Sequence, residues 1–222
     1  MSLYYQDDFV TLYHGDCLTE HREWLTADVL VTDPPYGMAY EANFNRHRKT
    51  RPSVGRPVAG DDDTGARDCV LEAWADKPAL VFGRWNCPRP ANTRTRLIWD
   101  RGYHGMGDLA LPWGPTDEEI YVLGAGWVGQ RTTSILRVPA LTSGDKERPK
   151  HPTPKPVPLM ERLIERCPPG TIADPFAGSG STLVAAKALG RQVIGVELEE
   201  RYCEIIAKRC AQDVLDIFGG AA

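Results

Sequence analysis

The 222-residue chain has no apolar run near the roughly 18 residues that a membrane-spanning helix needs. Its first ten residues, MSLYYQDDFV, are acidic and lack the basic-then-apolar pattern of a leader, so a cytoplasmic protein with no membrane partner is expected. None of its six cysteines (Cys17, Cys69, Cys87, Cys167, Cys203, Cys210) falls in a CxxC pair. That spacing argues against a disulfide framework and against a zinc site, so the thiols read as reduced and mostly buried and no metal is expected. A strong charge of one sign is missing too: 26 Lys and Arg stand against 30 Asp and Glu, a net charge of −4. Proteins that hold nucleic acid by bulk charge are usually basic, so any such contact here has to be local. Two stretches are locally basic. Arg46, Arg48, Lys49, Arg51 and Arg56 lie together with no acid among them, and Arg84, Arg89, Arg94, Arg96 and Arg101 follow with Asp100 the only acid. Either they are solvated loops balanced by acids such as Asp61, Asp62 and Asp63, or they form a lip facing phosphates. Charge alone does not separate the two.

What is present is an ordinary globular composition, 42% hydrophobic and 25% charged, at a length suited to one domain over residues 1–222. Eight short apolar runs read as strands: 9–13, 27–32, 79–82, 96–99, 119–123, 135–138, 170–173 and 192–196. Several are apolar at nearly every position, the mark of strands covered on both faces in a parallel sheet. Helical periods predict helices over 156–167, 181–189 and about 199–218. The expected class is α/β, a Rossmann-like, doubly wound sheet. Residues 37–60 and 102–117 fit neither pattern and read as loop insertions, candidates for contacting a partner.

Two turns carry chemistry. In Asp174-Pro175-Phe176-Ala177-Gly178-Ser179-Gly180, a strand enters a tight glycine turn and then a helix. Glu197 follows at the end of the next strand, where an acid can accept both hydrogen bonds of a ribose diol. The full GxGxxG spacing and the Walker lysine are absent, so the turn suits an adenosine ligand without phosphates. In Asp33-Pro34-Pro35-Tyr36, two prolines end a strand and hold the chain in one shape. The Asp33 carboxylate and the Pro34 carbonyl are two acceptors for the hydrogens of an exocyclic amine, and the Tyr36 ring can stack on the heterocycle that bears it. The lone pair of such an amine is delocalised into its ring. Two acceptors in tetrahedral disposition favour a pyramidal nitrogen and free its lone pair, which is stabilisation aimed at a transition state.

Together these segments resemble the amino-group DNA methyltransferases that use S-adenosylmethionine, with the catalytic turn first and the cofactor turn last, as in the β-class. His14-Gly15-Asp16-Cys17 is similar to the family's GD segment beside the cofactor adenine, and His151-Pro152-Thr153-Pro154-Lys155-Pro156 to its HPTxKP segment. The resemblance implies a seven-stranded sheet with one antiparallel strand. It implies a cofactor site of Asp16, Cys17, Asp174, Phe176, Gly178, Ser179, Gly180 and Glu197, with Thr153 and Lys155 at the methionine carboxylate, and a catalytic set of Asp33, Pro34, Pro35 and Tyr36. The substrate would be a base flipped from double-stranded DNA, contacted through Arg46, Arg48, Lys49, Arg51 and Arg56. Asp at the first catalytic position favours adenine N6. Cytosine N4, an RNA or protein amide, and a catalytically silent nucleotide-binding subunit are the competing readings. The space between the two halves is small for a recognition domain, so recognition is expected from loops, a second copy or a partner subunit.

Overall fold

The structure is a computed structural model that describes residues 2–35, 64–105, 107–142, 144–145 and 148–219, with side chains to residue 212. Tyr36, loop 37–60 and the basic stretch 46–56 lie outside the described residues. Nine strands form one sheet: β1 (Ser2–Gln6), β2 (Val10–His14), β3 (Val29–Thr32), β4 (Ala79–Gly83), β5 (Thr95–Asp100), β6 (Asp117–Leu123), β7 (Ile135–Arg137), β8 (Ile172–Asp174) and β9 (Val193–Glu197). Four helices, α1 (Gly65–Trp74), α2 (Val157–Ile164), α3 (Ser181–Ala188) and α4 (Glu200–Gly219), and a short 3-10 turn at Glu23–Thr26 complete the described elements.

The spatial order is β1-β2-β9-β8-β3-β4-β6-β5-β7. β1 and β6 run antiparallel to their neighbours, and the other strands share one direction. The doubly wound, mostly parallel class therefore holds, but the described residues form nine strands with two antiparallel rather than seven with one. All eight apolar runs are strands, and β1 is the ninth. It is an edge strand with half-exposed tyrosines and no apolar alternation, turned onto β2 by Asp7, whose Oδ1 accepts the Phe9 and Val10 amides at 2.9 and 2.8 Å. Such an edge leaves no period in the sequence to read.

Helices cover both faces. Val29 and Val31, Leu80 and Phe82, and Ile120 and Val122 point to a core built with α2, α3 and α4. The alternate residues Leu30, Ala79, Val81, Tyr121 and Leu123 point to a second core with Trp24, Val70 and Trp74. This is the period-2 alternation of side chains across a pleated sheet. Helix α1 leaves no clear helical period, because only Val70 and Trp74 of its apolar residues are buried. Trp74 stacks on Trp24 at 5.8 Å between ring centroids, and its indole donates to the Pro78 carbonyl at 3.1 Å.

The chain leaves β8 towards β9 on one side and β3 towards β4 on the other. The crevice between the carboxyl ends of β8 and β3 is thus the switch point where open α/β sheets bind ligands. Trp74→Ala should remove about 3–5 kcal/mol of unfolding free energy, read as a lower denaturant midpoint.

Candidate active site

The switch point opens into a cavity of about 370 Å³. Four strand ends supply its walls. Gly15, Asp16 and Cys17 follow β2; Asp33, Pro34 and Pro35 follow β3; Asp174 ends β8 and Pro175 through Ser179 follow it; and Glu197 ends β9. His151, Thr153 and Lys155 come from the segment before α2. Nearly all the described residues expected at the site therefore line one space, although they are scattered over about 180 positions of sequence. Gly180 is the exception. It sits at φ +79°, and a Cβ there would meet Ile206 Cγ1 of α4 at 2.7 Å, so it serves close packing of the turn on α4.

The carboxylates are held differently. Glu197 Oε2 accepts the Gly178 amide at 2.7 Å and Oε1 the Glu199 amide at 2.8 Å. Burial nevertheless dominates and pushes its pKa up to about 7. Asp174 Oδ1 accepts the Thr32 hydroxyl at 2.7 Å and the Phe176 amide at 3.2 Å, and burial raises its pKa to about 6. Asp16 Oδ1 accepts the Leu18 amide at 2.7 Å and shapes the turn after β2. His151 packs edge-on to Tyr202 at 4.7 Å. Burial, then the nearby Lys155 charge, lowers its pKa to about 4, so it is a neutral imidazole at pH 7. Burial lifts the Cys17 thiol to about 12, which leaves it inert as a nucleophile. Four of the six cysteines are buried, and none of the six is in a disulfide.

Lys155 meets partners that its spacing did not reveal. Its ammonium lies 2.5 Å from Asp33 Oδ2 and 3.1 Å from Glu118 Oε2. Sequence reasoning missed Glu118 altogether. Its only signal was an acid at the head of an apolar run, and the antiparallel direction of β6 is what brings that head to the carboxyl edge. The connection from β5 to β6, residues 101–116, lies on the same edge and carries the exposed side chains of Leu109, Leu111 and Trp113.

The arrangement is a largely apolar slot with a buried acid at one end and an acid backed by prolines at the other. A family model for N6/N4 methyltransferases, described as DNA methylase, matches residues 89–208. The Type II methyltransferase M.ScaI of Streptomyces caespitosus is 37% identical, covering 97% of this chain and 86% of that protein. The putative methylase YubD of Escherichia coli (strain K12) is 33% identical, covering 85% and 84%. This chain belongs to the N6/N4 DNA methylase family. Among solved structures, the M1.HpyAVI–SAM complex superimposes with a TM-score of 0.63 at 19% identity, over 90% of this chain and 98% of that one. The cytosine-N4-specific PvuII DNA methyltransferase does so with a TM-score of 0.65 at 16% identity, over 98% and 94%. At such identities the likeness is one of fold.

The raised Glu197 pKa has a consequence for stability. The fold favours the protonated acid, so wild-type stability falls as pH rises from the ordinary carboxylate range through about 7. Relative to wild type, Glu197→Gln should therefore gain about 2 kcal/mol, or roughly 4–8 °C in Tm, between pH 5.5 and 8. Paired thermal melts across that range check it.

Proposed function

We propose that this protein transfers a methyl group from S-adenosylmethionine to the exocyclic amine of a base flipped from double-stranded DNA, adenine N6, and that it acts in the cytoplasm. The observation that carries the reading is the meeting of the Asp33-Pro34-Pro35 turn with the Glu197-walled glycine turn in one cavity.

The residues present fit the cofactor. Each Glu197 oxygen accepts one backbone amide and has a second lone pair for a ribose hydroxyl. Asp16 and Cys17 would flank the adenine, Phe176 would pack beneath the ligand, and Gly178, Ser179 and Thr153, which line the same cavity, would border the methionine end. Asp174 shapes that wall by holding Thr32 and Phe176. Among the described lining residues the only cationic side chain is Lys155, and it is engaged by two carboxylates. No cluster of cations stands among them to receive a pyrophosphate, which favours a ligand without one. S-adenosylmethionine, when bound, supplies a methyl group activated by its sulfonium.

The chain's own residues then act on the base. The Asp33 carboxylate and Pro34 carbonyl accept the two amine hydrogens and turn the nitrogen lone pair towards the cavity. Tyr36 offers a stacking face that offsets part of the cost of flipping, a few kcal/mol. The amine nitrogen forms its bond to the methyl carbon as the sulfur–carbon bond of the donor breaks to leave a neutral thioether, and the nitrogen releases one proton to solvent. No enzyme nucleophile is needed, consistent with the neutral Cys17 thiol. Arg46, Arg48, Lys49, Arg51 and Arg56 contact phosphates, and the exposed 102–116 loop, with a second copy or a partner subunit, contributes to recognition. Asp33 supports adenine as the target, since cytosine enzymes of this kind more often carry Ser at that position.

Labelled methyl transfer to unmodified duplex DNA, with base-resolved mapping, should reveal N6-methyladenine. N4-methylcytosine would reassign the base, and label only in RNA or protein would overturn the reading. Asp33→Ala should lower turnover by about 100-fold or more while calorimetry finds cofactor affinity within a few-fold of wild type. Glu substitutions at Arg48 and Lys49 should reduce the slope of log affinity against log salt by roughly one for each phosphate no longer neutralised. An unaltered slope would return that stretch to solvent.

A further inference from the structure

We propose that Lys155 is a positioning residue for Asp33: its ammonium, shared with Glu118, keeps the Asp33 carboxylate ionised and aimed into the cavity. The role rests on the reading of Asp33 as acceptor for the base amine. It assigns Lys155 to the acceptor turn rather than to the cofactor's carboxylate.

Four described side chains surround the ammonium. It lies 2.5 Å from Asp33 Oδ2 and 3.1 Å from Glu118 Oε2. It sits 4.9 Å from the Phe82 ring centroid and 5.9 Å from that of Trp99, whose faces attract a cation and exclude water. The residue is only 6% exposed. Its backbone stands between Pro154 and Pro156, and its carbonyl accepts the Ser181 hydroxyl at 2.7 Å, which ties it to the start of α3. Glu118 is in turn 3.6 Å from Arg101, whose guanidinium donates to the Pro115 carbonyl at 2.5 Å. A line of alternating charge thus runs from the acceptor turn to the loop between β5 and β6.

Among the described residues, the charged groups around Asp33 are Lys155, Glu118 with Arg101 behind it, and Asp174 on β8, whose acidity the Asp33 charge weakens. His151, near Lys155, is neutral. Without the ammonium, two of the described charged groups near Asp33 are acids, Glu118 and Asp174. A carboxylate in that setting takes up a proton at higher pH, by about 1–3 units. Protonated, it offers a donor where the amine hydrogens need an acceptor.

Lys155→Met, Lys155→Arg and Glu118→Gln in the full chain separate this role from a merely structural one. Turnover of Lys155→Met at saturating cofactor should fall by about 100-fold, and its acidic limb should move up by about one unit or more. Lys155→Arg should recover part of both. Glu118→Gln, which removes a competing acid, should move the limb down. Carbon-13 NMR titration of the Asp33 carboxyl in ligand-free protein, assigned with Asp33→Asn, should show the same opposite shifts, and it decides the proposal even if wild type fails to methylate DNA. Shifts absent from both variants would overturn it. So would a cofactor Kd weakened about tenfold or more in Lys155→Met with turnover at saturation unchanged, because uniform binding loss of that kind places the ammonium on the ligand.

Discussion

The site depends on the lateral pairing of β3 with β8. Val29 and Leu30 of β3 pair with Ile172 and Ala173 of β8, so the two strands end within one residue of each other. There the Thr32 hydroxyl donates to the fully buried Asp174 carboxylate at 2.7 Å. One turn leaves each strand: a proline-stiffened one after Thr32 and a glycine-bent one after Asp174. Because the strands that follow, β4 and β9, lie on opposite sides of this pair, a crevice opens between the two turns. Buried carboxylates are costly unless hydrogen-bonded, and the Thr32 and Phe176 donors meet that need while fixing the angle of both turns.

Charge is rationed around the crevice. Glu197 and Asp174 have pKa values raised to about 7 and 6, His151 is held neutral, and the Cys17 thiol is held protonated. The Lys155 ammonium is pinned against Asp33 and Glu118. Such a cavity favours neutral, hydrogen-bonding, flat groups over phosphates. A modest overall charge of −4 is compatible with membership of a DNA methylase family on these terms, since the proposed function asks the interior to take a nucleoside and leaves the phosphate backbone to a local basic stretch of the sequence.

Glu118 links the site to its surroundings. β6 runs against its neighbours, so its first residues sit at the carboxyl edge beside Asp33 rather than at the far edge. The loop that precedes it, with Leu109, Leu111 and Trp113 exposed, is joined through Arg101 and Glu118 to the ammonium that holds Asp33. An antiparallel strand in a parallel sheet is what makes this connection geometrically available.

Local chemistry was legible in the sequence. Apolar runs bounded by turn residues marked eight strands, and 3.6-residue periods marked α2, α3 and α4 to within a few residues. The prolines after Asp33 and the glycines at 178 and 180 marked both turns, because backbone restriction at those residues is intrinsic to them. Edge strand β1 and helix α1 left no such mark, since half-exposed tyrosines and two buried apolar residues make no period. Lys155 and Asp33 are 122 positions apart, and no spacing rule relates them or brings Glu118 to both. Strand order and direction put those three charges together: periodicity reports which way a side chain faces, whereas only the folded sheet decides which distant side chains face each other.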